Sequence, residues 1–303
     1  MTPESTATTL IQLAQAKDFD GVRARFRDHP PDEVLAAADV LREDDIYNVA
    51  IELYDWLLEQ APSAAVHFGI GQCYGKIYEY DQALSHLDKA FAEKPGRSEG
   101  ASYYAYILER HERMEDADRW YRQALDGAEA DDLWARSHYA WFLEKWGKTD
   151  DAKRTYDDVL ERNPAYTWAS KRYASLLDRL GEPDRAKALL RQSVDQSPGN
   201  RFAQLNYLEY LLLTDDPDYS SYRESLDTSD GPAWYPVMVD LFDIYRDDLL
   251  SCDPDRDRIG AWEAEAEKLK DSVHRDFDDL TAKLEQRGGD VAEWRRLVQA
   301  LLK

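Results

Sequence analysis

Residues Ala64–Arg97 read AAVHFGIGQCYGKIYEYDQALSHLDKAFAEKPGR, and within them Gly71 is followed by Tyr74, Ala83, Leu87, Ala90 and Pro95. The pattern predicts two helices joined by a short turn near Tyr78–Tyr80. Small residues fall where the two helices would cross closely, and larger apolar ones lie a turn away on the same faces. Pro95 ends the second helix, because proline has no N–H and clashes with the preceding turn. One such hairpin cannot bury its own apolar face, so the chain should contain copies that stack on it.

The copies are there. Ala83 recurs as Ala117, Ala152 and Ala186, at steps of 34, 35 and 34, and Ala50 lies 33 residues before it. Four residues further on come Tyr54, Leu87, Tyr121, Tyr156 and Leu190, and an upstream small position reads Ala38, Gly71, Ala105, Ala140 and Ala174. The stop recurs as Pro62, Pro95, Pro164 and Pro198, with Glu129 where proline is missing. A period of about 34 residues in helical hairpins is the one shown by tetratricopeptide repeats. From roughly Pro31 to Asn200 the chain therefore resembles the tetratricopeptide repeat family. The resemblance implies an all-α solenoid, a right-handed superhelix of hairpins, with helical caps at both ends.

Worked outward, residues 1–30 read as an N-terminal helical hairpin cap, with Leu10, Ile11, Leu13 and Ala14 on one helix and Val22 and Phe26 on the next. Repeats follow at 31–63, 64–97, 98–131, 133–166 and 167–200, with a degenerate sixth starting at 201–213. Asp32 is positioned to cap the first repeat's opening helix. Gly147 and Gly181 sit at the inner turns of repeats four and five, where glycine takes a positive φ, and Pro183 falls in the first turn of the helix that follows. Residues 214–231 are acidic with few apolar anchors and read as a loop, with a short helix near Tyr222–Leu226. Residues 232–303 form a different helical arrangement. In it Trp262, Ala266, Leu269, Val273, Phe277, Leu280 and Leu284 step by three or four along one long helix, Arg258–Gln286. That seam either caps the last repeat or makes a homo-oligomer or partner contact. Asp290 caps the last helix.

Composition limits the function. The chain has 303 residues, 43% of them hydrophobic, and carries a net charge of −23 from 61 acidic and 38 basic residues. That balance argues against nucleic acid and against an anionic membrane surface as partners. It suits a solvated surface, salt adaptation or a basic partner. No apolar run is long enough to cross a membrane and no signal-peptide pattern opens the chain. Cys73 and Cys252 are far apart and lack CxxC neighbours, so they read as free thiols of a cytoplasmic protein.

No catalytic constellation stands out. The six histidines form no HExxH or Cys/His cluster, and GxSxG, P-loop and GxGxxG patterns are missing. The run Asp253, Asp255, Asp257 starts like a calcium loop but has Arg258 where glycine is needed and Ala264 where glutamate is needed. The expectation is no enzyme, no metal and no cofactor. His138 with Lys171 is the one place where an unfamiliar activity would be sought.

What the resemblance offers is a concave groove lined by the first helix of each repeat. Its groove-facing positions fall here on Phe68 and Gln72, on Tyr103 and Tyr106, on Trp134, His138 and Trp141, on Trp168, Lys171 and Arg172, and on Phe202 and Asn206. Aromatics beside Lys and Arg are typical of binding hot spots. They are equally suited to burial against neighbouring helices. Lys171 and Asn206 match two positions of the carboxylate clamp used by some family members, whereas Ser175 departs from it. The implied function is a scaffold or adaptor for a protein or peptide. The alternative is an accessory subunit of a biosynthetic or modifying enzyme, docked through the C-terminal helices.

Overall fold

The recurring small residues are buried as their spacing demands. Ala50, Ala83, Ala117, Ala152 and Ala186 are all inaccessible, and so are Tyr54, Leu87, Tyr121 and Tyr156 four residues on. Gly71 shows why the crossing must be small: a Cβ there would lie 2.6 Å from the Leu87 side chain and 3.2 Å from the Ala83 carbonyl. The computed structural model describes residues 10–94, 100–127, 129–251, 253–269 and 277–302. The chain divides into two units, residues 1–155 and 156–303.

The first unit opens with α1 (10–15) and α2 (Phe19–Arg25), followed by a 3-10 turn. Residues 1–9 lie outside the described residues, and with them Ser5–Thr9, the start of the first helix expected over Ser5–Ala16. Hairpins follow as α3 (Pro31–Glu43) with α4 (Tyr47–Gln60), α5 (Ala64–Lys76) with α6 (Tyr80–Glu93), and α7 (Ala101–Arg110) with α8 (Met114–Leu125). Then come α9 (Leu133–Lys145) and α10 (Thr149–Arg162), which carries the unit boundary. Helix α3 starts at Pro31 and has no side-chain cap, so Asp32 lies inside its first turn rather than before it. Its charge still favours the positive end of the helix dipole.

Each inner turn places one residue in the left-handed region. The series is Asp45, Tyr78, Glu112, Gly147 and Gly181, and Asp215 continues it. The two glycines take φ of 75° and 78°, as the sequence requires of them. Outer-face polar contacts join successive hairpins. Tyr139 Oη donates to Asp118 Oδ1 at 2.8 Å, and Tyr104 Oη donates to Asp88.

The second unit continues with α11 (Thr167–Arg179), α12 (Pro183–Gln196) and α13 (Arg201–Leu213). Pro183 is the first residue of α12, where its missing N–H costs nothing. The acidic stretch is more ordered than a loop: α14 (Tyr219–Ser225) folds back on α13 as a shortened partner helix. Its anchors are tyrosines rather than aliphatics. Tyr222 packs edge-on to Tyr207 at 4.7 Å, and Tyr219 Oη donates to Asp243 Oδ1 at 3.0 Å.

Helices α15 (Trp234–Asp247), α16 (Arg256–Ala266), α17 (Asp278–Gln286) and α18 (Val291–Leu302) follow. The single long helix expected over 258–286 is not what forms. α16 passes into a 3-10 turn at Glu267–Leu269, and Phe277 is non-helical (φ −118°, ψ 14°) immediately before α17. Val273 of the expected seam lies outside the described residues. Of the other seam residues, Trp262, Ala266, Phe277, Leu280 and Leu284 are buried within the unit, and Leu269 is half-buried. Phe277 meets the ring of buried Trp294 edge-on, as does Tyr245, and Trp294 Nε1 donates to Thr281 Oγ1 at 2.8 Å. Asp290 Oδ1 accepts from the Glu293 N–H at 2.9 Å, the cap expected of it.

Candidate functional site

In the first unit the inner helices follow one another side by side. Tyr103 Oη of α7 donates to the Gln72 carbonyl of α5 at 3.1 Å. That approach is permitted by Gly75, where a Cβ would collide with the Tyr103 hydroxyl. Burial raises the Tyr103 phenol above its ordinary range. Phe68 is half-buried against Phe91 at 6.1 Å, and a Cβ on Gly100 would strike its ring. Phe68 thus packs between hairpins, and Gln72 takes part there through its backbone carbonyl.

The denser aromatic group lies on α7 and α9. His138 stacks on Trp134 at 4.2 Å and meets Trp141 at 5.8 Å and Tyr106 at 6.0 Å, both edge-on. Trp134 remains 38% exposed, and Tyr106, His138 and Trp141 are half-buried. Lys145 Nζ lies 4.8 Å from the Trp141 ring centre and 2.5 Å from Oε1 of the buried Glu109. The Tyr106 phenol is pushed up to about 12, first by burial and then by its hydrogen bond with Tyr80. It is therefore a neutral hydrogen-bonding ring at physiological pH. A rigid, amphipathic, partly open ring cluster with a cation at its edge can stack on a peptide side chain or proline and hydrogen-bond its backbone.

In the second unit the same repeat positions meet a different fate. Trp168 is half-buried with Arg172 5.7 Å from its ring centre. Phe202 is 51% exposed and stacks on Trp234 at 4.7 Å. Asn206 is only 6% exposed, and its Nδ2 donates to the Thr167 carbonyl at 3.2 Å. Lys171 Nζ pairs at 2.9 Å with Oε2 of Glu209, a residue 2% exposed. A clamp assembled from Lys171 and Asn206 would thus start with the lysine already neutralised and the amide already bonded to the backbone.

Above these residues lies a cavity of about 500 Å³, with Lys171, Asp178 and Arg179 of α11, Glu209 and Tyr210 of α13 and Lys283 of α17 among its walls. Helix α17 forms its roof and is tied down by Lys283 and Arg287 pairing with Asp215. No sequence pattern pointed to this cavity, since nothing in 278–286 marks which face of α13 it covers. Among the described residues no group of three or more His, Cys, Asp or Glu side chains converges as a metal site, and no helix is long and apolar enough to cross a membrane.

Comparison with known proteins agrees with this architecture. Residues 143–208 match a family model described as tetratricopeptide repeat. No curated protein sequence matches the chain. A tetratricopeptide repeat protein from Parabacteroides merdae is similar over 86% of this chain and 99% of its own, at 13% identity and a TM-score of 0.57. PilF of Pseudomonas aeruginosa is similar over 70% of this chain and 97% of its own, at 18% identity and a TM-score of 0.53. PilW, described as a type IV pilus biogenesis factor, is similar over 65% of this chain and 91% of its own, at 16% identity and a TM-score of 0.55. Residues 143–208 are thus similar to tetratricopeptide repeats, and the chain has the all-α fold of solved proteins built from such repeats.

Proposed function

We propose that this protein is a non-catalytic, cytoplasmic adaptor that holds an extended segment of a protein partner against the inner-helix face of its first unit. The observation that carries this reading is the ring cluster of Tyr106, Trp134, His138 and Trp141. The hairpin core does not need these rings, because Tyr121, Tyr139 and Phe142 fill it separately. Preformed helices hold the cluster in place, so a partner meets a surface whose ordering cost is already met by the fold. The test is co-purification from native extract with Trp134→Ala/Trp141→Ala beside wild type. Specific partners should be lost at an unchanged melting temperature, and retention of every partner would refute the reading.

The cavity under α17 favours a second reading, an accessory subunit that docks through its C-terminal helices. Ala282 lines that cavity. Ala282→Trp should fill it and abolish docking with the fold intact if this version holds, and should change nothing if the first does.

A further inference from the structure

Four inner helices of the first unit carry a cation in their last turn: Arg42 on α3, Lys76 on α5, Arg110 on α7 and Lys145 on α9. The steps are 34, 34 and 35, and the series continues in sequence to Arg179, 34 residues further on. A cation in the last turn is generally favourable, because the helix dipole is negative there. That effect alone would act equally on the outer helices. Among the outer helices α4 and α6 carry no basic residue in their last turn, whereas α8 and α10 carry Arg122 and Arg162, each paired with an aspartate of its own helix, Asp118 and Asp158. What sets the inner row apart is that it recurs on every inner helix from α3 to α11.

Its members are not equivalent. Arg42 is held by Tyr54 and Asp39, and Lys145 by Glu109. Lys76 and Arg110 are exposed, and neither has an ion pair among the described residues. Arg110 lies 5.1 Å from the Tyr80 ring centre, which fixes the guanidinium but leaves its N–H donors open. In a chain with 61 acidic and 38 basic residues, two neighbouring unpaired cations on one face are out of keeping with their surroundings.

We propose that this row binds an acidic peptide segment, whose carboxylates are taken by Lys76 and Arg110 while its backbone and apolar side chains lie along Tyr106 and Trp141. The proposal rests on the groove reading above and specifies the partner's chemistry. Packed helices stand about 8–10 Å apart, and an extended chain advances about 3.3 Å per residue. One acidic side chain in about every three residues therefore matches one helix step. The net charge of −23 opposes an acidic ligand at a distance. At physiological ionic strength that repulsion is screened beyond roughly 8 Å, so contact with the row decides the outcome. Arginine holds a carboxylate through two parallel hydrogen bonds, which gives Arg110 the larger share.

The test uses fluorescent twelve-residue peptides, kept extended by proline, with Glu at every third position, and matched peptides with Gln or Lys there. Binding to the full chain is followed by anisotropy. The Glu peptide should bind at least tenfold more tightly than its Gln counterpart. Lys76→Glu/Arg110→Glu should erase or reverse that preference without moving the melting temperature. Equal or better binding of the Gln or Lys peptides, no binding of the Glu peptide, or a preference that survives the double variant would overturn the proposal. If that happens while Trp134→Ala/Trp141→Ala still loses native partners, only the acidic specificity falls. If those partners are also retained, the groove reading falls with it.

Discussion

The two units use one repeat pattern to opposite ends. In the first, α9 keeps Trp134 partly open and leaves its rings as surface. In the second, every residue of α13 from Ala203 to Leu212 is buried, because α12, α14, α15 and α17 surround it. The lysine and buried glutamate motif appears in both. Lys145 with Glu109 stands beside the ring cluster, whereas Lys171 with Glu209 is walled into the cavity. Those two pairs sit at different repeat positions, but true equivalents show the same divergence: His138 and Trp141 of α9 are half-buried, whereas Asn206 and Glu209, 68 residues on in α13, are buried where later helices fold over them. Position within a repeat predicts what a residue can face, and the neighbouring segment decides what it does face.

The sharpest contrast should come from aromatic deletions. Trp294 is wholly buried in the second unit, so Trp294→Ala should cost about 3–5 kcal/mol in chemical denaturation. Trp141 is only half-buried, and Trp141→Ala should cost far less stability while weakening partner binding. Similar stability losses for the two would break the distinction between core and surface. Next in size are the paired lysines. Lys145→Met and Lys171→Met each remove the cation facing a buried glutamate, and each should cost about 1–3 kcal/mol. Only the first should alter partner binding.

The inner turns give a smaller and opposite effect. Glu112 sits at φ 59°, a conformation that disfavours side chains, whereas the equivalent residue of the second unit is Gly181. Glu112→Gly should raise stability by about 1 kcal/mol and Gly181→Ala should lower it by a similar amount, both read from denaturant midpoints.

The smallest effect concerns pH. His67 and His86 bring their Nδ1 atoms to 3.1 Å between α5 and α6. Burial, then His67, then Lys89 push the His86 imidazole down to about 4. The folded state therefore binds a proton less readily than the unfolded one. The contribution is complete above about 6.5 and is lost as pH falls from there toward about 4. His86→Gln should flatten the melting temperature between pH 7 and 5 relative to wild type, and an unchanged slope would remove this pair from the account.

Much of the fold was legible because tandem copies repeat the same physical constraint. Ala83 and Leu87 are small and large for one reason, the helix crossing at Gly71, and the chain states that reason again at each period. The turn glycines were readable because a positive φ narrows the choice of residue; Tyr78 and Glu112 occupy equivalent places without that marker. The C-terminal helices were less legible, since they occur once. The apolar spacing of 258–286 suits one helix, and nothing in it marks the break before α17. At the candidate site the ring positions followed from the repeat. The bonding of Asn206 to the Thr167 carbonyl and the occupation of Lys171 by Glu209 link residues 39 and 38 positions apart that no local pattern connects.

The most direct test of the account is hydrogen–deuterium exchange on the full chain, alone and with the partner that co-purifies with it. The account predicts new protection concentrated in α7 and α9, around Tyr106, Trp134 and Trp141. Protection confined to α15, α16, α17 and α18, with α7 and α9 exchanging as in the free protein, would contradict it.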